Sequence, residues 1–192
     1  MSEPKKRVVL GVSGASGAAI ALRIGELLAS LPTVELHLVV SEAATRTFLQ
    51  EVGPDTLVRL IDLCHHHHPI EGIGASIASG SFRTAGMIVA PCSMRTLAGI
   101  ASGLADNLLI RAADVHLKER RPLILLTRET PLHLGHLRNI VSVTEMGATV
   151  MPPVPAFYHR PQSVGDIVDH IARRAIDMLR LEELLLAREW RG

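Results

Sequence analysis

The sequence predicts an α/β fold in which a parallel sheet carries helices on both faces. Short apolar segments alternate with helical segments along the chain, and the first of them leads through a Gly/Ser turn into a helix. The apolar segments are nearly continuous in Val, Ile and Leu, which is typical of strands buried on both faces. The chain of 192 residues is 47% hydrophobic and shows no repeat or long linker, so we expect residues 1–192 to form one domain.

The elements follow from the spacing of the apolar residues. Strands are predicted at 7–12, 34–40, 86–90, 122–127 and 148–152. Helices are predicted at 18–30, 42–53, 94–121 (in two pieces around Gly103), 131–147 and 163–190. Gly53-Pro54 ends the second helix, and Ser163 caps the last one.

The composition excludes several classes of protein. A net charge of +1 gives no overall attraction to nucleic acid or membrane, and 3% aromatic residues argue against a stacking surface for single-stranded nucleic acid. No apolar run approaches the ~20 residues of a membrane span, and Cys64 and Cys92 show no disulfide spacing. We therefore expect a cytoplasmic protein with free thiols. A mean hydropathy of +0.27 predicts a homo-oligomer that buries apolar surface between subunits.

The segment "GVSGASGAAI" (11–20) follows the first strand and poses a choice between a ligand loop and an ordinary turn. Ser13 breaks the G-x-G-x-x-G dinucleotide pattern, and no Gly-Lys pair follows, which excludes a P-loop. Glycines let a backbone approach a ligand, while Ser13 and Ser16 are predicted to cap the helix. The loop by itself leaves both interpretations open.

Ligands of open α/β sheets lie outside the carboxyl ends of the strands, and polar residues follow all five predicted strands. They are Gly14-Ala15-Ser16, Ser41, Ser93 with Thr96, Arg128-Glu129 and Tyr158. Hydroxyl-rich helix N-termini beside an Arg-Glu pair favour an anion site at this edge.

Cations elsewhere in the chain add to this hypothesis. Arg111 and Lys118 lie seven residues apart and share a helix face with Asp114, either as a solvated face or as a phosphate site. Arg173 and Arg174 occupy the last helix. Such cations bind phosphate by charge-assisted hydrogen bonds.

The run "CHHHHP" (64–69) is interpreted as a solvated loop with at most weak metal binding, so no metal site is predicted. Consecutive residues do not easily point at one ion. Cys92 lacks a visible activating base and is predicted to be buried packing, and His133 and His136 are given structural roles.

Three blocks of the sequence resemble the flavin prenyltransferases of the UbiX type. They are "GVSGASGA", the long segment from "PCSMRTLAGIASGLADNLLIRAADVHLKERR" to "HLRN", and "MPPVPAFYHRPQS". The resemblance implies a three-layered, flavodoxin-like (Rossmann-like) fold that binds FMN. It implies metal-independent transfer of a dimethylallyl group from dimethylallyl phosphate to N5 and C6 of reduced FMN. It also implies a dodecamer with sites at subunit boundaries, and a UbiD-type decarboxylase that uses the prenylated FMN.

The resemblance assigns roles to residues that match its motifs. The implied FMN-binding residues are Gly14, Ala15, Ser16, Ser41, Ser93, Met94, Arg95, Thr96 and Arg128. The implied substrate-binding residues are Arg111, Lys118, Arg128, Tyr158 and Arg174. The implied catalytic residues are Glu129, Ser16, Glu51 and Lys118. Glu42 stands where the family often has lysine, Trp190 matches a family tryptophan only with an offset of one residue, and the His run has no family counterpart.

Three alternatives remain at this point. An FMN-dependent decarboxylase of the phosphopantothenoylcysteine-decarboxylase class would share the fold, but that class usually carries P-A-S-A-N-T where this chain has "PCSMRT". A non-catalytic FMN-binding accessory subunit of an aromatic-acid decarboxylase would leave the flavin unmodified. A nucleotide-binding phosphotransferase ranks last, because the P-loop and the magnesium carboxylates are missing.

Overall fold

The structure, a computed structural model, describes residues 4–181 and 186–189. Its sheet has six strands in the order β3-β2-β1-β4-β5-β6, and every neighbouring pair is parallel. The strands are β1 (Lys6–Val12), β2 (Val34–Val40), β3 (His66–His68), β4 (Gly86–Cys92), β5 (Leu123–Thr127) and β6 (Thr149–Val150). The chain builds outward from β1 to β3 and then crosses to β4, so a topological switch point lies between β1 and β4.

Helices cover both faces of the sheet. They are α1 (Ala18–Ala29), α2 (Glu42–Glu51), α3 (Pro54–Leu63), α4 (Met94–Ser102), α5 (Leu108–Lys118), α6 (Leu134–Glu145) and α7 (Val164–Asp177). Short 3₁₀ turns occur at Ser76–Ala78 and Phe157–His159. One core cluster joins α1, α2, α3 and α7 to the sheet, and a second joins α4, α5 and α6. The predicted three-layered α/β architecture is therefore confirmed.

The alternation of side chains along β1 explains why the two cores form. Val8 and Leu10 belong to the first cluster and Val9 to the second, and all three are fully buried. Successive strand residues point to opposite faces, so a strand covered on both sides needs apolar residues at every position.

The structure differs most from the sequence-based prediction at three places. The second helix ends near Gly53 as expected, but Pro54 opens a further helix, α3, because proline is well suited to the first helical turn. The last helix ends at Asp177 instead of residue 190, and Arg180 has a φ of 54°. Residues 182–185 and 190, with the Trp190 correspondence, lie outside the described residues. The predicted loop at the His run is wrong for His66–His68, which form the edge strand β3.

The predicted break in the helical stretch 94–121 is confirmed. Gly103 adopts a left-handed φ of 67° and ends α4, a conformation that glycine adopts without steric cost. Asn107 then caps α5 by accepting a hydrogen bond from the Ile110 backbone nitrogen.

Candidate active site

Hydrogen bonds of the Ser13 hydroxyl connect the loop after β1 to the end of β4 and the loop that follows it. Its hydroxyl donates to the Pro91 carbonyl oxygen at 2.8 Å and accepts from the Ser93 backbone nitrogen at 2.8 Å. Ser13 is almost fully buried, so it bridges the switch point and does not cap α1 as predicted. Sequence reasoning missed this bridge, because it depends on β1 and β4 being neighbours.

The N-terminus of α1 is capped by Glu51 from the end of α2. Glu51 Oε2 accepts hydrogen bonds from the backbone nitrogens of Gly17 at 2.9 Å and Ala18 at 2.8 Å. Partial burial would raise the pKa of Glu51, but hydrogen bonds from the Ser16 hydroxyl and these N–H groups, with the charge of Arg128, lower it overall. Ser16, Glu51 and Arg128 thus lie in one electrostatic neighbourhood, and Glu51 is a carboxylate at neutral pH.

Two further helices begin at the same edge with serine caps. Ser41 accepts from the Ala44 backbone nitrogen at 3.2 Å at the start of α2, and Ser93 accepts from that of Thr96 at 3.3 Å at the start of α4. The Ser93 hydroxyl also donates to Thr96 Oγ1 at 3.1 Å. The partial positive charges of both N-termini favour an anion at this edge.

The remaining predicted FMN-binding residues differ in their exposure. Met94 and Thr96 are buried, whereas Arg95 is exposed and pairs with Asp106 at 3.2 Å. Gly14 is exposed at the edge, and a Cβ added there would meet Ala43 Cβ at 2.3 Å. Packing against α2 therefore requires glycine at position 14 and leaves the Gly14-Ala15 backbone without bulky side chains.

Arg128 and Glu129 extend from the carboxyl end of β5 into the same region. The Arg128 backbone nitrogen donates to the Cys92 carbonyl oxygen at 3.1 Å, which holds the residue beside β4, and both side chains are exposed. Glu129 Oε1 accepts from the Thr130 backbone nitrogen at 3.0 Å. The structure thus brings Arg128 and Glu129 to the edge that carries Ser16, Ser41 and Ser93.

Tyr158 and Arg174 line a separate cavity of about 800 Å³. It lies between the segment after β6 and helix α7, and Met151, Val154 and His170 also line it. Tyr158 and Arg174 thus line one cavity, beside the last strand of the sheet.

Arg111 and Lys118 both lie on α5. Arg111 pairs with Asp114 at 2.6 Å, so the predicted shared helix face is confirmed for these two residues. Lys118 ends α5 before β5 begins and pairs with Glu119 at 2.5 Å. Because Arg128 follows β5, the whole strand separates Lys118 from Arg128 along the sheet, about 16 Å for its five residues.

The cysteines have no nucleophilic role in this geometry. Cys92 is fully buried at the end of β4, and burial raises the pKa of its thiol to about 12. Burial also raises the pKa of Cys64. The predicted packing role of Cys92 is confirmed, and a thiolate at neutral pH is excluded for it.

The edge has the donors that a phosphate-bearing aromatic ligand requires. The N-termini of α2 and α4 and the Arg128 cation suit a phosphate, and the exposed Gly14 offers a ring system a stretch of backbone without a side chain. The residues present therefore fit a flavin mononucleotide.

Fold and edge together define a flavin-binding class of α/β protein. The flavoprotein family model matches residues 1–176. Flavin prenyltransferase UbiX of Escherichia coli K12 is 50% identical over 190 residues, covering 97% of this chain and 99% of the relative. Flavin prenyltransferase UbiX of Thauera aromatica is 51% identical over 186 residues, covering 97% of this chain and 94% of the relative. The chain belongs to the UbiX family of flavin prenyltransferases.

Solved structures agree with this assignment. A dodecameric FMN-dependent UbiX-like decarboxylase from Escherichia coli O157:H7 superimposes with a TM-score of 0.92 at 45% identity, covering 97% of this chain and 100% of that chain. AnUbiX (PadA1), solved with FMN and dimethylallyl pyrophosphate, has a TM-score of 0.91 at 43% identity and covers 98% of both chains. A cysteine decarboxylase, TvaF, shares the fold at 16% identity. The structure confirms the flavodoxin-like fold, and no described helix has the length and apolar character to cross a membrane.

Proposed function

We propose that this protein transfers the dimethylallyl group of dimethylallyl phosphate to N5 and C6 of reduced FMN and releases phosphate. The observation that carries the proposal is the convergence of Ser16, Glu51 and Arg128 at the carboxyl edge of the sheet, in a chain about half identical to flavin prenyltransferases over nearly its full length. A related structure, AnUbiX, holds FMN together with dimethylallyl pyrophosphate.

FMN is proposed to bind at the carboxyl edge through two sets of residues. The N-termini of α2 and α4, with Ser41 and Ser93, provide the anion-binding groups for its phosphate. Gly14, Ala15 and Ser16 face the ring, and Met94, Arg95 and Thr96 form the adjoining turn of α4. Reduced FMN, when bound there, supplies N5 and C6 as the two positions that accept the five-carbon unit.

Charge on the departing phosphate is the main electrostatic demand of the transfer. The allylic C–O bond breaks as a bond to N5 forms, and the electron pair of that C–O bond leaves with the phosphate. Fixed cations and a phenol can stabilise this charge without a metal ion. We assign that role to Arg111, Lys118, Arg128, Tyr158 and Arg174.

Protons are proposed to move through two carboxylates. Glu51, whose pKa is lowered, accepts a hydrogen bond from the Ser16 hydroxyl. This bond is proposed to hold the hydroxyl oxygen at the flavin ring, where it can accept a proton and pass its own to Glu51. Glu129, which follows Arg128, is proposed to take up the proton that C6 would lose on ring closure, and the released phosphate to supply the proton that C2 of the five-carbon unit would gain as its double bond is used.

The proposed cation set needs more than one subunit. Within one chain Lys118 lies at the amino ends of the strands, whereas Arg128 lies at their carboxyl ends. This placement supports an oligomer in which one subunit provides Lys118 and another provides Arg128. A UbiX-like relative is dodecameric, and we propose a dodecamer here. We further propose a cytoplasmic location and a UbiD-type decarboxylase as recipient of the prenylated FMN.

The decisive experiment mixes the purified protein with reduced FMN and dimethylallyl phosphate under anaerobic conditions. The proposal expects the flavin to gain the mass of one five-carbon unit as inorganic phosphate is released in equal amount. Unmodified flavin in this assay would overturn it and favour an accessory subunit. Release of CO₂ from a cysteine-derived substrate would favour the decarboxylase class.

A further inference from the structure

Strands β2 and β3 carry a cluster of potential metal ligands that prenyl transfer does not use. Glu35 and His37 lie on β2, and His66 on β3 is the register partner of His37. One ligand atom from each residue lies within 4.8 Å of the other two. We refer to Glu35, His37 and His66 as the strand clamp.

Two of the three ligand distances within the strand clamp are close to those of a tetrahedral coordination site. Glu35 Oε1 is 3.1 Å from His37 Nε2 and 3.3 Å from His66 Nε2. For metal–ligand bonds of 2.0–2.1 Å, neighbouring ligand atoms of a tetrahedron are separated by about 3.3 Å. The His66 side chain is about half exposed, so it can rotate to complete the third edge and admit an ion from solvent.

A neighbouring histidine orients one of the ligands. His68 Nε2 lies 2.9 Å from His37 Nδ1, while His37 Nε2 faces Glu35. A partner at one ring nitrogen sets the tautomer and leaves the other nitrogen free to bind a metal, as is usual around metal-bound histidines. The His37 side chain is only 2% exposed.

One cation contacts the strand clamp directly. Arg7 Nε on β1 lies 3.5 Å from Glu35 Oε1, and its guanidinium also stacks over the Phe82 ring at 4.4 Å. Because Arg7 has its second contact on Phe82, the Glu35 carboxylate can turn toward an ion while the guanidinium stays in place.

We propose that Glu35, His37 and His66 bind one Zn²⁺ ion per chain, which joins the three-residue edge strand β3 to β2. Two imidazoles and one carboxylate form a donor set typical of zinc, whereas Mg²⁺ and Ca²⁺ prefer oxygen ligands alone. The clamp lies away from the carboxyl edge, since His37 precedes Ser41 by four residues, about 13 Å along β2.

The test is a calorimetric titration of the EDTA-treated, dialysed full-length protein with zinc chloride. Wild type is expected to bind one equivalent. Glu35→Gln and His66→Asn are each expected to weaken binding by about 100-fold or more, since each removes a direct ligand. His67→Asn is the matched control, because this exposed histidine belongs to the same run but not to the clamp. It is expected to bind as wild type does.

Binding by the consecutive histidines alone would give a different pattern. It would survive Glu35→Gln, which leaves the run intact, and would weaken in His67→Asn; either result overturns the proposal, as does absence of stoichiometric binding. Thermal unfolding provides a second readout, because an ion that binds only the folded chain raises the midpoint. Zinc should raise it for wild type and His67→Asn but not for Glu35→Gln or His66→Asn. If Glu35→Gln fails to fold, the comparison of His66→Asn with His67→Asn, both at exposed positions, decides the question: the strand clamp loses zinc only in His66→Asn, whereas binding by the run weakens in both.

Discussion

Glu51 Oε2 lies 2.9 Å from the backbone nitrogen of Gly17, so the last residue of α2 caps the first turn of α1. The same carboxylate accepts a hydrogen bond from the Ser16 hydroxyl, and the charge of Arg128 helps to lower its pKa. One side chain therefore holds the Gly/Ser loop in place and gives the proposed active site its carboxylate.

Replacing Glu51 by glutamine should separate these two roles. We expect prenyl transfer to fall about 100-fold or more, since general acid–base groups contribute at least that much, while the protein still binds FMN. Single-turnover rates and flavin titration measure the two effects. Glu145→Gln, an exposed change on α6, is the control. Full turnover by Glu51→Gln would remove Glu51 from the mechanism.

The cap also has a predicted dependence on pH. Glu51→Ala should lower the free energy of unfolding by about 1 kcal/mol at pH 7, a typical cost of losing a cap. Because the folded-state pKa of Glu51 is lowered, its contribution is complete above the ordinary glutamate pKa and is lost as the pH falls through the lowered value. Urea unfolding of wild type and Glu51→Ala, from pH 7 down into acid, should show the difference in their free energies of unfolding become smaller. A difference that does not change with pH would mean that the cost comes from lost packing.

Arg128→Ala and Lys118→Ala should each abolish prenyl transfer while the chain still folds. Because the two residues lie at opposite edges of one chain, we expect subunits carrying either change to complement each other in mixed oligomers. Random one-to-one mixing should restore about one quarter of the sites, those with an intact Arg128 from one chain and an intact Lys118 from another. Co-expression followed by the flavin mass assay measures this, and no recovery would contradict a shared site.

Gly14→Ala should weaken both FMN binding and folding. The new methyl group would lie 2.3 Å from Ala43 Cβ and 2.9 Å from the Ala43 carbonyl carbon, which requires α2 or the loop to move. Overpacking of this kind costs about 1–3 kcal/mol. Gly74→Ala is the matched control, since a Cβ there meets nothing within 4 Å. Chemical unfolding and flavin fluorescence titration report the two effects, and equal behaviour of both variants would refute the packing argument.

His116 should make the protein sensitive to acid. Burial is the main reason that its pKa is lowered to about 4; the charge of Arg121 lowers it further, against the opposing effect of the bond to the Ala112 carbonyl oxygen. The unfolded chain takes up this proton near pH 6.5, so stability falls as the pH drops from 6.5 toward 4. From pH 7.5 to pH 5 the contribution of His116 to this loss should be on the order of 2 kcal/mol. His116→Gln should show a smaller loss than wild type, and His67→Asn the same loss.

Much of the fold and part of the candidate site could be predicted from local patterns. Hydrophobic periodicity identified β1, β2, β4 and β5, and the rule that ligands lie at carboxyl ends of strands led to the edge where Ser41, Ser93 and Arg128 meet. The strand β3 could not be predicted in this way, because three consecutive histidines have no apolar alternation and pair only because β2 offers a free edge.

The sequence by itself determined the class of fold, the edge that carries the loops and the membership in the UbiX family, because propensity, periodicity and motifs are properties of neighbouring residues. Only the tertiary structure decided that Ser13 joins two loops, that Glu51 caps α1, that Lys118 lies opposite Arg128 and that Glu35 meets His37 and His66. Those relationships depend on which elements become neighbours in space, such as β4 beside β1, β3 beside β2 and α2 beside α1, and on the direction in which each strand runs.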